Sequence, residues 1–101
     1  MPAALVTGGA ARLGKAMALY LAARGYDVAV HYNSNADAAA DVAAQCGDLS
    51  GGKSVAIQAD LLDEAETSAL LPEASRLLGQ PITVLINNAS IFEYDTVQTA
   101  T

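Results

Sequence analysis

Short apolar runs alternate with longer stretches of helical periodicity along the whole chain. The apolar runs predict four β-strands, over Ala3–Thr7, Asp27–His31, Ser54–Ala59 and Ile82–Ile86. In the third run Val55 and Ile57 alternate with polar or small residues. The fourth run is nearly continuous in apolar residues, which is typical of a strand buried on both faces of a parallel sheet.

The stretches between these runs predict three helices. The first covers Leu13–Arg24, the second extends from cap candidates at 33–35 to about Cys46, and the third from Asp63 to near Gly79. Gly25 and Gly47 are expected to end the first two helices, with a loop over residues 48–53.

The third helix carries a start signal and an interruption. Asp63 and, three residues later, Glu66 resemble a capping box, with Asp in place of the usual Ser or Thr. Pro72 cannot donate a backbone hydrogen bond, so it predicts a kink, or a break with a new helix start.

The predicted order is therefore βαβαβαβ, followed by an irregular tail over Asn87–Thr101. Right-handed crossovers place helices on both faces of a parallel sheet, so we expect an α/β fold with a doubly wound sheet. The 101 residues fit one domain, and no internal repeat is visible.

Composition and charge narrow the classes of partner. The net charge of −6 makes nonspecific attraction to nucleic acid or to anionic lipid unfavourable. Any bound anion must therefore be held by a specific local binding site. The lone Cys46 has no internal disulfide partner, which fits a reducing compartment. No secretory leader, membrane-length apolar run or metal-ligand cluster is visible, and we expect a cytoplasmic location.

The turn after the first strand is a candidate anion site. It contains Thr7, Gly8 and Gly9, and Gly14 follows at the start of the first helix. The first amides of a helix have no internal partner, and the helix dipole favours negative charge there. Gly8 and Gly9 permit a tight turn and a close approach of the backbone to a phosphate, and Gly14 permits close helix packing.

Two further polar clusters follow strand ends, at Asp60-Leu61 and at Asn87-Asn88-Ala89. In open α/β sheets the ligand crevice lies at the carboxyl ends of the strands. The turn after Thr7, the segment after His31 and both clusters should therefore meet at one edge of the sheet.

These three motifs together resemble the short-chain dehydrogenase/reductase family. The first reads Thr-Gly-x-x-x-Arg-x-Gly, Asp60 stands where a family Asp contacts adenine, and Asn87-Asn88-Ala89 matches Asn-Asn-Ala-Gly with Ser90 replacing Gly. The resemblance implies a Rossmann-type sheet whose first four strands, in order 3-2-1-4, are present in residues 1–101. It also implies an oxidoreductase that transfers hydride with a nicotinamide cofactor. The expected cofactor-binding residues are Thr7, Gly8, Gly9, Arg12, Leu13, Gly14, His31, Tyr32, Asn33, Ser34, Asp60, Leu61, Asn87, Asn88 and Ala89.

The segment after the second strand bears on the choice of cofactor. NAD-preferring dinucleotide folds place an acid there, which bonds the ribose 2′-hydroxyl. Residues 31–34 contain no acid, and Arg12 adds a planar cation suited to phosphate. We therefore expect NADP(H). In the alternative interpretation Arg12 is only a solvated residue at a helix start, and His31 a surface residue at a strand end.

A narrower resemblance is to the pteridine reductase branch of the family. It rests on Arg12 in the glycine loop, His31-Tyr32, and Ser90 followed by Phe92. It implies that Ser90 is a polar substrate contact, that Phe92 stacks on a flat ring, and that Arg12 approaches both cofactor and substrate. A general carbonyl or imine substrate stays open, as does Phe92 as an ordinary apolar residue.

The family's catalytic Tyr-x-x-x-Lys pair is missing from this sequence. None of Tyr20, Tyr26, Tyr32 and Tyr94 has a lysine four residues later. We therefore expect a fragment that holds the cofactor and no catalytic residue, inactive by itself, with a fourth strand exposed as an edge. Its parent is expected to act on a small molecule and to be a homo-oligomer. The alternatives are a non-catalytic nucleotide-binding module and a relic that binds nothing.

Overall fold

The computed structural model describes residues 2–9 and 11–88, in which strands and helices alternate. The elements are β1 (Ala3–Thr7), α1 (Arg12–Ala23), β2 (Asp27–Tyr32), α2 (Ala36–Ser50), β3 (Ser54–Gln58), α3 (Glu64–Leu78) and β4 (Val84–Asn87). All strand pairs are parallel, and the order across the sheet is β3-β2-β1-β4. The predicted fold class and strand order are confirmed.

The sheet register aligns the carboxyl ends of the strands. Thr7, the last residue of β1, pairs with Asn87, the last residue of β4. Val6 pairs with Val30, and His31 pairs with Ile57. The four strand ends therefore lie side by side at one edge, which we call the carboxyl edge.

The core lies on both faces of the sheet, because successive strand residues point to opposite faces. Val6, Val28 and Val30 pack with α1 and α2, whereas Leu5 and Ala29 pack with α3. The helix residues facing the first group are mostly small. Those that are almost fully buried are Ala18, Ala22, Ala39 and Ala43. Small side chains allow these helices to lie close to the sheet.

Helix α2 extends beyond its predicted end. Gly47 lies inside the helix, and Gly51, with φ of 73°, is its C-cap and donates to the Gly47 carbonyl. The prediction of a stop at Gly47 and of a loop from residue 48 was wrong. Of Gly47 and Gly51, only Gly51 adopts the left-handed conformation that commonly ends a helix.

Helix α3 is continuous through Pro72, so of the two outcomes predicted there, a kink or a break, the break was wrong. Pro72 and Ser68, one turn earlier, are both exposed, so water can bond the carbonyl that proline leaves unpaired. Asp63 caps the helix by accepting from the amides of Ala65 and Glu66. The Glu66 carboxylate bonds the Asp60 amide at 2.9 Å instead of Asp63, so the reciprocal capping box does not form.

Strand β4 begins at Val84, two residues later than predicted, and is only partly covered. Leu85 is 50% exposed, whereas Val84 and Ile86 are half-buried. The burial on both faces predicted from the apolar run is wrong for the described residues, whereas the predicted position of β4 as an exposed edge strand is confirmed. Beside Leu85 an apolar groove opens between the sheet and α3, with Leu61, Leu70 and Leu71 in its wall.

A buried carboxylate joins the opposite, amino ends of the strands. Asp27 accepts 3.0 Å from the Lys53 amide before β3 and 2.9 Å from the Gln80 side chain before β4. Its side chain thus fixes the segments that lead into β3 and β4, at the edge of the sheet opposite the carboxyl edge. Across the described residues, no helix has the length and apolarity that crossing a membrane requires.

Candidate functional site at the carboxyl edge

The glycine turn after β1 is folded back on strand β2. Gly8 has a φ of 63°, which glycine adopts without steric cost, and its carbonyl accepts 3.1 Å from the Ala11 amide. The Gly9 amide donates to the His31 carbonyl at 3.0 Å. A Cβ on Gly9 would lie 2.8 Å from Val30 Cγ1. Gly9 is therefore required for packing inside the protein.

Gly14 allows α1 to approach the turn closely. A Cβ at this position would overlap the Gly8 carbonyl oxygen and lie 2.8 Å from Asn88 Nδ2. Gly14, Gly8 and Asn88 are thus neighbours, as the sequence motifs predicted. Protein atoms occupy the space that a Gly14 side chain would fill. This glycine therefore allows close packing of α1 on the turn and does not itself leave open space for a ligand.

The N-terminus of α1 carries no cap of its own. Ala11 is the N-cap and offers no side-chain acceptor, and the first turn contains no acidic residue. The first bond of the helix found among the described residues is from the Lys15 amide to the Ala11 carbonyl, 2.7 Å. Arg12 and Leu13 are exposed at this end. Unpaired first-turn amides and the helix dipole make this position favourable for an anion.

Thr7 joins the turn to the end of β4. Its hydroxyl accepts 2.8 Å from the Asn88 amide and lies 3.1 Å from Asn87 Oδ1, to which it can donate. Thr7 is only 5% exposed. The threonine therefore acts as a bridge between two strand ends, and it fixes both asparagines of the Asn-Asn motif relative to the glycine turn.

His31 is buried beneath the turn. Its Nδ1 accepts 2.9 Å from the Gly8 amide, and its Nε2 lies 2.8 Å from the Ala59 carbonyl. His31 is 2% exposed, so it is not the surface residue of the alternative interpretation. Burial lowers the pKa of His31 below its usual 6.5, and the bond to Ala59 acts in the opposite direction. The ring is therefore neutral at pH 7.

The remaining predicted residues lie along the same edge on the side of β3. Asp60 follows β3, and its Oδ1 accepts 2.9 Å from the Leu62 amide. Leu61 packs partly against the α3 side of the core. Tyr32 ends β2 half-buried, and the next two residues, Asn33 and Ser34, are exposed.

The structure thus brings together most of the residues predicted from the three motifs. Ala89, Ser90, Phe92 and Tyr94 lie outside the described residues. Sequence reasoning missed the bridging roles of His31 and Thr7, although a single histidine ending an apolar strand was a signal that the first could be buried. Among the described residues no cluster of His, Cys, Asp or Glu suited to a metal ion is found.

A parallel sheet of order 3-2-1-4, with a glycine turn leading from β1 into an uncapped helix, defines a doubly wound nucleotide-binding class of fold. Within that class, residues 2–101 match the family model for short chain dehydrogenases. The chain belongs to the short-chain dehydrogenase family.

Individual relatives are similar over nearly the whole chain. The uncharacterized oxidoreductase YgfF of Escherichia coli is 41% identical over 102 residues, which cover 100% of this chain and 40% of the relative. The 3-oxoacyl-(acyl-carrier-protein) reductase FabG of Staphylococcus aureus is 40% identical over 88 residues, 87% of this chain and 35% of the relative.

Among solved structures, the FolM alternative dihydrofolate reductase 1 of Brucella canis, complexed with NADP, is 42% identical with a TM-score of 0.80. The match covers 90% of this chain and 36% of that structure. The chain therefore spans about two-fifths or less of the length of these relatives.

Proposed function

We propose that this chain binds NADP(H) at its carboxyl edge, as part of an oxidoreductase that reduces a small molecule by hydride transfer. The observation that carries the proposal is the uncapped first turn of α1, directly after a glycine turn and beside the ends of β1 and β4. The family membership and the NADP complex of a 42% identical structure support it.

The pyrophosphate would bind at the first turn of α1. The amides of Gly8 and Gly9 both donate to His31, so they are directed into the protein. The amides of Arg12 and Leu13 belong to the helix start, where no intrahelical acceptor exists. The chain has a net charge of −6, so the attraction for an anion must come from the amides and the dipole at the start of α1.

The 2′-phosphate of NADP(H) would lie near Arg12 and the segment after β2. That segment carries Asn33 and Ser34, both exposed, and no carboxylate that would repel a phosphate. Within the described part of the chain the single ion pair joins Arg76 to Glu73, so Arg12 has no carboxylate partner there. An unpaired, exposed guanidinium is suited to a phosphate ligand.

Among the other predicted contacts, His31 is buried with both ring nitrogens bonded within the protein, so no direct contact with the cofactor is proposed for it. Asp60 would contact the adenine, as the family resemblance implies, and Leu61, Thr7, Asn87, Asn88 and Ala89 are proposed as further cofactor contacts. Bound NADPH would supply the hydride. The described residues contribute binding and orientation, and the Tyr-x-x-x-Lys pair expected of the family is not found in the 101-residue sequence.

Titration with NADPH and NADH tests the choice of cofactor. We expect NADPH to bind more tightly, and Arg12→Ala to weaken NADPH binding by about tenfold while changing NADH binding by less than about twofold. Arg24→Ala, at the opposite end of the same helix, is the matched control, because Arg24 lies over the Tyr20 ring. Equal affinity for both cofactors, unchanged by Arg12→Ala, would contradict the assignment.

The substrate is proposed as a carbonyl, an imine or a pteridine-like ring. Ser90 and Phe92 would contact it, with Arg12 between cofactor and substrate. A protein expressed from its complete reading frame should oxidise NADPH in the presence of dihydrofolate or of a 3-oxoacyl thioester. If the rate of NADPH oxidation with dihydrofolate falls in Phe92→Ala but not in Phe92→Tyr, a pteridine-like substrate that stacks on residue 92 is favoured. Tight NADPH binding without oxidation by either substrate would favour a nucleotide-binding module instead.

A further inference from the structure

The one histidine of the chain connects three strand ends beneath the glycine turn. The His31 ring bonds the Gly8 amide after β1 and the Ala59 carbonyl after β3, and its own backbone carbonyl accepts from the Gly9 amide. An amide can only donate and a carbonyl can only accept. The ring must therefore carry its single proton on Nε2, with Nδ1 as the acceptor.

We infer that His31 is a positioning residue that holds the glycine turn in its anion-binding conformation, and that protonation of its ring releases the turn. The inference rests on the proposed function, since the affected ligand is the dinucleotide. His31 itself would not touch the cofactor, because the residue is 2% exposed and both ring nitrogens are already hydrogen-bonded within the protein.

The geometry of the turn explains why one hydrogen bond has this effect. His31 fixes the peptide that joins Thr7 to Gly8, and the Gly8 carbonyl then accepts from Ala11, the N-cap of α1. Gly14 packs directly on that carbonyl. Rotation of the Thr7–Gly8 peptide changes the backbone angle φ of Gly8, so it would displace the Gly8 carbonyl and the helix start that contacts it.

Protonation of His31 would place a second donor opposite the Gly8 amide. The Nδ1–H group and the amide N–H would then face each other without an acceptor, in a site with little access to water. The bond between Nε2 and Ala59 would survive. Acid therefore acts selectively on the side of the ring that holds the glycine turn.

The charges around the ring do not oppose this effect. Strands β1 and β3 contain no titratable side chain, and Tyr32 follows His31 on β2. On the α3 side the carboxylates are Asp60, next to Ala59, and Glu66, which bonds the Asp60 amide. Burial, ahead of the Ala59 bond, lowers the pKa of His31 below 6.5. The neutral form therefore stabilises the fold fully above pH 6.5, and this contribution is lost as the pH falls through the lowered pKa.

Two amide variants separate the two sides of the ring. In His31→Asn the side-chain oxygen can replace Nδ1 as the acceptor for Gly8, whereas the longer His31→Gln places its amide nitrogen near the former Nε2 and loses that acceptor. Neither variant titrates. Circular dichroism and urea unfolding establish which of them fold.

The experiment measures the dissociation constants of NADP⁺ and NAD⁺ at about pH 8 and about pH 5.5. We expect the wild-type chain to lose affinity at the lower pH, by at most about tenfold because burial holds the pKa of His31 below 6.5, and His31→Asn to lose clearly less than wild type. His31→Gln should bind about tenfold more weakly than wild type at about pH 8. NAD⁺ should show the same loss as NADP⁺, which separates His31 from the titration of the 2′-phosphate itself.

A pH profile shared by wild type and His31→Asn would overturn the inference, as would wild-type affinity in His31→Gln. If His31→Gln does not fold, the comparison of wild type with His31→Asn decides alone. Nitrogen chemical shifts of the ligand-free ring provide a second test, and a proton on Nδ1 at about pH 8 would also overturn the inference. Failure of the wild-type chain to bind either dinucleotide at pH 8 with Nε2 protonated would instead overturn the proposed function, and the inference with it.

Discussion

The amide of Asn88 donates a 2.8 Å hydrogen bond to the Oγ1 of Thr7, which precedes it by 81 residues in the sequence. The bond begins where the pairing of β1 with β4 ends, at Thr7 and Asn87. It extends the alignment of the two strands by one residue beyond the ladder. The Asn-Asn segment is therefore fixed by a side chain at the point where the sheet itself no longer holds it.

Thr7→Val should destabilise the protein. Valine has nearly the shape of threonine but removes the acceptor of the Asn88 amide, so we expect a loss of about 1–3 kcal/mol in the free energy of unfolding. Thr7→Ser keeps the hydroxyl and is the control, with a smaller loss from the missing methyl group. Urea unfolding measures both. A Val variant as stable as the Ser variant would show that the hydroxyl bridge contributes nothing.

Gly14→Ala and Gly47→Ala should change stability in opposite directions. Both glycines lie in helices, where alanine is ordinarily favoured by about 0.5–1 kcal/mol. A Cβ at Gly47 meets no atom within 4 Å, so this variant should be more stable by about that amount. A Cβ at Gly14 overlaps the Gly8 carbonyl, so that variant should lose about 1–3 kcal/mol. Thermal unfolding distinguishes them, and a stabilising Gly14→Ala would contradict the packing described.

The alternation of strands and helices could be predicted from the sequence because each element carries its own periodicity. Strand β1 is observed over the predicted residues Ala3–Thr7. The end of α2 could not be predicted in the same way. Gly47 and Gly51 are equally plausible stops by residue type, and only the backbone conformation at Gly51 distinguishes them.

The candidate site was predictable as a set of strand ends, but its internal connections were not. The three motifs identify the carboxyl edge because parallel strands end together. The partners of His31 depend on the register that sets β2 beside β1 and β3, and no local pattern encodes that register. A histidine bonding Gly8 and Ala59 therefore becomes visible only in the folded chain.

Asp27→Ala should affect stability and leave cofactor binding intact. The variant removes the acceptor of the Lys53 amide and of the Gln80 side chain, so we expect a loss of about 1–3 kcal/mol. Asp27→Asn retains one side-chain oxygen and should lose less. Because Asp27 begins β2 at the amino edge, the affinity of the folded variant for NADP⁺ should stay within about twofold of wild type. A large loss of affinity would mean that the two edges are coupled.

Cys46 should react with thiol reagents only when the protein opens. The side chain is completely buried, and burial raises its pKa to about 11, so the thiolate is scarce at neutral pH. Labelling by a disulfide reagent in native buffer should be slow and should accelerate in urea along the unfolding transition. Rapid labelling of the native chain would contradict this environment. The same measurement reports the stability of the three sets of variants above.

The alanines at the interface of α1 and α2 with the sheet have a consequence for the depth of the cofactor site. Ala18 and Ala22 are both 0% exposed, so the volume of their side chains sets the height of α1 above β1 and β2. A larger residue at either position would lift the helix, and with it the first-turn amides of Arg12 and Leu13. The small alanines that let α1 lie close to the sheet thus also set the distance between the dipole of α1 and the strand ends.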